Sequence, residues 1–223
     1  MHQCFVSVEN KTQLIDHALV CKRGGYVYMR HNALRDTEAT LMKEVCRDVQ
    51  IEPTLLPTSN ELRNGTIISE RARLDISARG LHGQNEKTFF DVRVTHPNSE
   101  SNKEKSLEQI YKQHEAEKKR SYNDRIIQVE KASFVPLVFT TTGGFSPECE
   151  RLNKKLADKI ANKRNESYAS VIKHIRTRLR FALLRSTLVA LRGTRGKIDQ
   201  RLGGEDLEHV SFNLIPEGNC YEA

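Results

Sequence analysis

Two short runs of alternating aliphatic residues, an apolar run closed by a glycine pair, and long stretches with apolar residues at helical spacing predict an α/β protein. Its architecture is a mixed sheet flanked by helices. Residues 1–31 read as a small irregular His/Cys module. A helix is expected over 36–48, with Ala39, Leu41, Met42, Val45 and Cys46 as its apolar positions. VQIEPTLLP (49–57) is an extended run ended by prolines, and 58–66 is a polar loop. In 71–77, Leu74 and Ile76 face one way and Arg73, Asp75 and Ser77 the other. A glycine-containing connection (78–86) leads to 87–97, where Phe90, Val92 and Val94 alternate with Phe89, Asp91 and Arg93. Residues 97–105 form a loop and 106–131 a long helix. FVPLVFTTT (134–142) is a buried strand closed by Gly143-Gly144. Ser146-Pro147 carries an N-cap with proline at the first helical position, opening a helix over 147–164, and a second covers 167–192. The division is therefore the 1–31 module, an α/β core over 32–145, a basic helical pair over 146–192, and a glycine-rich, charged tail over 193–223 expected to be mobile.

Composition narrows the classes. No apolar stretch approaches the ~18 residues of a membrane helix, and the start MHQCFVSVEN lacks the pattern of a secretory signal. Five scattered cysteines argue for a reducing, intracellular compartment rather than a disulfide scaffold. The net charge of +7 is unevenly spread: residues 151–201 carry 15 Lys/Arg against three acids, Asp158, Glu166 and Asp199. That excess points to an acidic polymer as partner. In the second of the two helices Arg178, Arg185 and Arg192 are spaced by seven and share a face. Lys173, Arg176 and Arg180 form another row, and Ile172, Ile175, Leu179 and Leu183 the inward stripe. Such rows can track a phosphate backbone, giving affinity without sequence readout. Neither glycine pair is followed by Lys-Ser/Thr, so both read as turns rather than phosphate loops.

Asp75 and Asp91 occupy equivalent places in two successive strands, and a hairpin would set them side by side. They are either exposed strand-face residues or a converging pair. A pair would repel without a cation between the carboxylates, and Mg²⁺ or Mn²⁺, hard and oxygen-seeking, suits it. The long helix has the apolar stripe Leu107, Tyr111, Tyr122, Ile126 and Val129, into which Lys118 and His114 fall. Lys118 either snorkels to solvent or aims its ammonium at carboxylate or phosphate. Lys119 is the fallback, and Glu115 is also near the stripe. At the N-terminus His17-x₃-Cys21 has zinc-ligand spacing, which Cys4 and His31 would complete to four ligands.

These residues resemble the PD-(D/E)XK (restriction-like) nuclease superfamily. Arg-Leu-Asp75 stands for its first acid and Phe-Phe-Asp91-Val-Arg93 for its second motif, with Arg93 in the lysine position. Arginine holds phosphate but is a poor proton shuttle. The resemblance implies that the lysine has moved to the following helix, as Lys118, and that Glu52, or else Glu44, supplies an additional acid. Residues 17 to about 195 further resemble the region after the reverse transcriptase in proteins of invertebrate non-LTR-type retroelements. The runs HALVCKRGGYVYMRHNALRD, KTFFDVRVTHP, HEAEKKRSYNDRI and IRTRLRFALLRSTLVALRG carry this likeness. It implies a restriction-endonuclease-like fold, a metal-dependent DNA endonuclease with Asp75, Asp91, Lys118 and Glu52 as catalytic residues, and backbone contacts from Arg93 and the basic rows. It also implies DNA or an RNA–DNA hybrid as substrate, a reverse transcriptase as partner, a nuclear location, and a Cys-x-Cys-Gly ahead of the His17 pair, of which only Cys4 is present. An inactive fold that binds nucleic acid for the reverse transcriptase is the alternative reading.

Overall fold

A computed structural model describes residues 11–58, 64–69 and 71–193. The elements run α1 (Lys11–Val20), α2 (Tyr26–Lys43), β1 (Arg47–Ile51), β2 (Ile76–Arg79), β3 (Lys87–Thr95), α3 (Leu107–Arg125), β4 (Ser133–Thr140), α4 (Pro147–Arg164) and α5 (Tyr168–Arg192). A π-helical turn, Ile126–Glu130, prolongs α3. The result is a mixed α/β fold with a four-stranded sheet flanked by helices. Strand order is β1-β2-β3-β4, with antiparallel pairing up to β3 and β4 parallel to it. A parallel pair needs a long crossover, which α3 supplies. No helix among the described residues is long and apolar enough to cross a membrane.

β3 is buried on both faces, and its alternation divides the interior. Phe90 and Val92 join Ile76, Leu137, Leu34 and Met42 of α2, and the inner stripes of α4 and α5. Phe89 joins Leu55, Leu74, Phe134 and Ile126 beneath α3. Serine oxygens cap the helices: Ser106 forms a reciprocal capping box with Gln109, Ser146 accepts from the Cys149 amide, and Ser167 accepts from the Ser170 amide. α5 packs on α2 and α4 as an outer layer.

The structure differs from the sequence expectation in three places. The helix expected over 36–48 runs instead from Tyr26, straight after a Gly24-Gly25 turn with φ of 78° and 70°, to Lys43, so that Val45 and Cys46 lie beyond its end and Arg47 and Asp48 already belong to β1. It crosses position 31, so the first residues described are helical and packed rather than irregular. His96 pins α1 to the sheet: its Nε2 lies 3.0 Å from Asp16 Oδ1 and its Nδ1 2.7 Å from Thr141 Oγ1. Second, the expected strand over 71–77 is regular only from Ile76. Leu74 and Ile76 do not share a face, since they lie in different halves of the core. Opposite them the chain turns through Glu52 at φ 53° and then Pro53, which has no amide to donate. Beyond it the pairing is reduced to one isolated bridge, Thr54 with Arg73, and scattered bonds such as Glu52 N–H to Asp75 O at 2.9 Å. Third, the long helix loses its α-form at Arg125, where the π-helical turn begins. Cys4 and the tail beyond Gly193 lie outside the described residues.

Candidate active site

The β2–β3 register decides the geometry. Ile76 pairs with Phe90, and the Asp75 amide also donates to Phe90 O at 3.2 Å, so the ladder shifts at its end and Asp75 lies beside the row of Asp91, close enough for its charge to act on that carboxyl. Asp91 is 6 % exposed. Across from it runs α3. Two strand residues span ~6.6 Å and four helix residues ~6 Å, so an α-helix laid along a strand meets every second residue with every fourth of its own. Tyr122 packs in the half-core that holds Phe89, and one helical turn earlier Lys118 Nζ lies 2.5 Å from Asp91 Oδ2. A further turn earlier, His114 Nε2 lies 3.1 Å from Thr95 Oγ1.

The electrostatics follow from this enclosure. Burial pushes the Asp91 carboxyl up to about 6; the Lys118 ammonium opposes the rise and the charge of Asp75 adds to it. Burial likewise pushes the Tyr122 phenol up to about 12, and both aspartates add to that. The Lys118 ammonium sits 5.8 Å from the Tyr122 ring centroid, a cation–π contact that holds it on the carboxylate side.

His31 is the residue the sequence assigned elsewhere. It was expected with His17, Cys21 and Cys4 around zinc. Instead its Nε2 lies 3.2 Å from Asp75 Oδ2 and 3.1 Å from Val92 O. A carbonyl only accepts, so Nε2 carries the proton and donates. The Val92 amide donates to the same Asp75 oxygen at 2.6 Å. Burial opposes protonation of His31, but the hydrogen bond and charge of Asp75, with Asn32 and Asp91 behind them, outweigh it and hold its pKa above the usual imidazole value. Of the remaining zinc candidates, His17 is exposed on α1 and Cys21 is buried. Among the described residues no group of three or more His, Cys, Asp or Glu side chains converges as a metal-ligand set.

The other acids are held by cations. Glu52 makes a close ion pair with Arg35 and lies 3.8 Å from Arg73, half exposed. Glu44, at the opposite end of β1, pairs with Arg164 at 2.5 Å. Lys119 and Glu115 serve the start of α4: Lys119 Nζ meets Glu148 Oε1 at 2.5 Å, and the Glu148 amide donates to Glu115 at 3.0 Å. Arg93 is half-buried on the face of β3 that carries Asp91; burial and then its charge lower the His114 pKa.

On α5, Lys173, Arg180, Arg185 and Arg192 are exposed and Arg178 is half-buried. Arg176 is tied to Glu150 at 2.7 Å, and the Arg180 guanidinium lies 5.6 Å from the Phe145 ring centroid. The second basic row is thus partly engaged within the protein.

Two carboxylates with a lysine at one and a histidine at the other suit a hard divalent ion. Mg²⁺ is commonly held by one or two carboxylates, with water and substrate phosphate completing the shell, so a two-acid site needs no third protein ligand. The chain matches no protein-family model and no curated protein sequence.

Proposed function

We propose that the chain is a restriction-like, metal-dependent endonuclease domain of retroelement origin that hydrolyses a DNA phosphodiester in company with a reverse transcriptase. The observation that carries this reading is the meeting of Asp75 and Asp91 at the end of the β2–β3 ladder, where Asp75 Oδ2 accepts from the Val92 amide and Lys118 of the facing helix pairs with Asp91. Mg²⁺ or Mn²⁺, when bound, supplies positive charge that polarises the phosphodiester and acidifies water. Asp75 and Asp91 hold it. The raised pKa of Asp91 supports this role, since a buried carboxylate beside another gains most from a cation. Lys118 orients the attacking water or steadies charge on the phosphoryl oxygens. His31 fixes the Asp75 carboxylate by its hydrogen bond, a positioning role. Arg93 and the exposed cations of α5 hold the backbone on either side.

A second reading, an inactive nuclease fold that binds nucleic acid, is favoured by Arg93 in the lysine position and by the ion pairs that engage Glu52. Plasmid nicking with Mg²⁺ or Mn²⁺ separates the two. Metal-dependent nicking by the wild type, lost by a factor of 10² or more in Asp91→Ala, is expected if Asp91 holds the ion. Absence of nicking in both, with salt-sensitive DNA binding retained, establishes the second reading.

A further inference from the structure

Between α2 and α5 lies a cleft of about 450 Å³ lined by Thr37, His174, Thr177, Arg178, Phe181 and Arg185. This is within the size range of small-ligand sites. No acid lines it. Phe181 presents its ring to solvent at 59 % exposure, the one phenyl ring among the lining residues. α2 carries His31 toward Asp75 on one face and Thr37 into this cleft on another. The two positions are ~9 Å apart along the helix axis at 1.5 Å per residue.

We infer that this cleft binds an unpaired nucleotide of a single strand, its base stacked on Phe181 and its flanking phosphates on Arg178 and Arg185. The inference rests on the reading that the chain handles nucleic acid, and it names the form of substrate: an unpaired single strand. An exposed aromatic ring between arginines recognises the π-face of a base, which a paired duplex hides, whereas arginines alone serve duplex and single strand alike. The hydroxyls of Thr37 and Thr177 and the His174 imidazole give the cleft polar partners for sugar or base edges. A protein helix is the rival occupant, because Leu184, Leu188 and Leu191 extend an exposed apolar line along α5. The cationic, acid-free lining at Phe181 favours nucleic acid over it.

The test compares the full chain with Phe181→Ala and Phe181→Trp by fluorescence anisotropy. The probes are a labelled 15-nucleotide oligothymidylate and a duplex of the same length, each titrated over the same series of salt concentrations. Expected for Phe181→Ala is about tenfold weaker binding to the single strand, as for the loss of one base stack. Duplex affinity and the salt slope should stay unchanged, and Phe181→Trp should bind as well as wild type or better. Because the ring is exposed, unchanged circular dichroism is expected in both variants. Single-strand affinity that is unmoved in Phe181→Ala, or that falls in step with duplex affinity, overturns the inference. So does wild type that binds neither probe while Phe181→Ala alters its self-association, the outcome for a protein-docking face. Phe181-dependent binding of oligothymidylate by a chain that nicks nothing upholds the inference and sinks only the catalytic reading.

Discussion

At the scale of single residues, two buried carboxyls behave differently because of what faces them. Asp91 has the Lys118 ammonium, Asp75 and His31 around it, so its charge belongs to a designed cluster. Glu38 on α2 is fully buried, neither of its oxygens has a hydrogen-bond partner, and burial alone pushes it up to about 8. Its charge acts on the buried Cys149 thiol of α4, which is raised by burial first and by Glu38 next. The consequence for stability has a definite sign. A folded pKa above the unfolded value of 4.5 means that Glu38 contributes fully below pH 4.5 and that this contribution is lost as pH rises to about 8. At ~1.4 kcal/mol per pH unit the span is on the order of 5 kcal/mol. Glu38→Gln removes the titration. Urea unfolding should find the variant and wild type similar at pH 4.5 and the variant more stable at pH 8.5; parallel pH profiles would show that Glu38 is not neutral in the fold. No sequence signal singled out Glu38, whereas Asp91 was legible from the alternation along β3. His31 was not legible as a neighbour of Asp75, because that needed α2 to start ten residues earlier than its apolar pattern suggests.

At the scale of elements, the segments that read well are those whose signals are local. Ser106, Ser146 and Ser167 each mark a helix start, and their hydrogen bonds are formed. α2 read badly because Tyr26, Val27 and Tyr28 favour strands, and Tyr28 stays exposed in the helix, so no apolar periodicity marks its first turn. The break after Glu52 was marked by Pro53, but nothing local told which half of the core Leu74 would enter. One element contact illustrates how such irregular chain is held. Arg125, fully buried at the junction of α3 and its π-helical turn, donates to Ile67 O and Ser69 O at 2.9 Å each and to Leu56 O at 2.7 Å. These three carbonyls belong to the loop between β1 and β2, so the guanidinium replaces the sheet bonds that the loop lacks. Arg125→Met keeps the stem and leaves the carbonyls unpaired, which should lower unfolding free energy by about 3 kcal/mol in denaturant titration. A loss under about 1 kcal/mol would mean that water serves those carbonyls equally well.

At the scale of the whole molecule, the sheet divides two tasks. Beneath α3 the polar face of β3 assembles Asp91 with Lys118, and on the other side α2, α4 and α5 stack into a layer whose outer surface is basic. The charge excess of residues 151–201 was plain in the sequence, yet its availability was not, because ion pairs depend on which acids the fold brings near. Lys173 is exposed on α5, whereas Arg176 spends its charge on Glu150 at 2.7 Å. Counterion release makes this difference measurable: each phosphate neutralised adds about 0.9 to the slope of log K against log salt. Lys173→Ala should therefore lower the slope of duplex DNA binding by about 0.9. Arg176→Ala should leave it nearly unchanged or raise it slightly, since Glu150 would be freed to repel the backbone. Equal losses for both variants would show that DNA competes successfully for Arg176. A loss for neither would move the duplex path off this part of α5 and onto the cations at the ends of the sheet, such as Lys43, Arg47, Lys159 and Lys163, which line a separate open pocket.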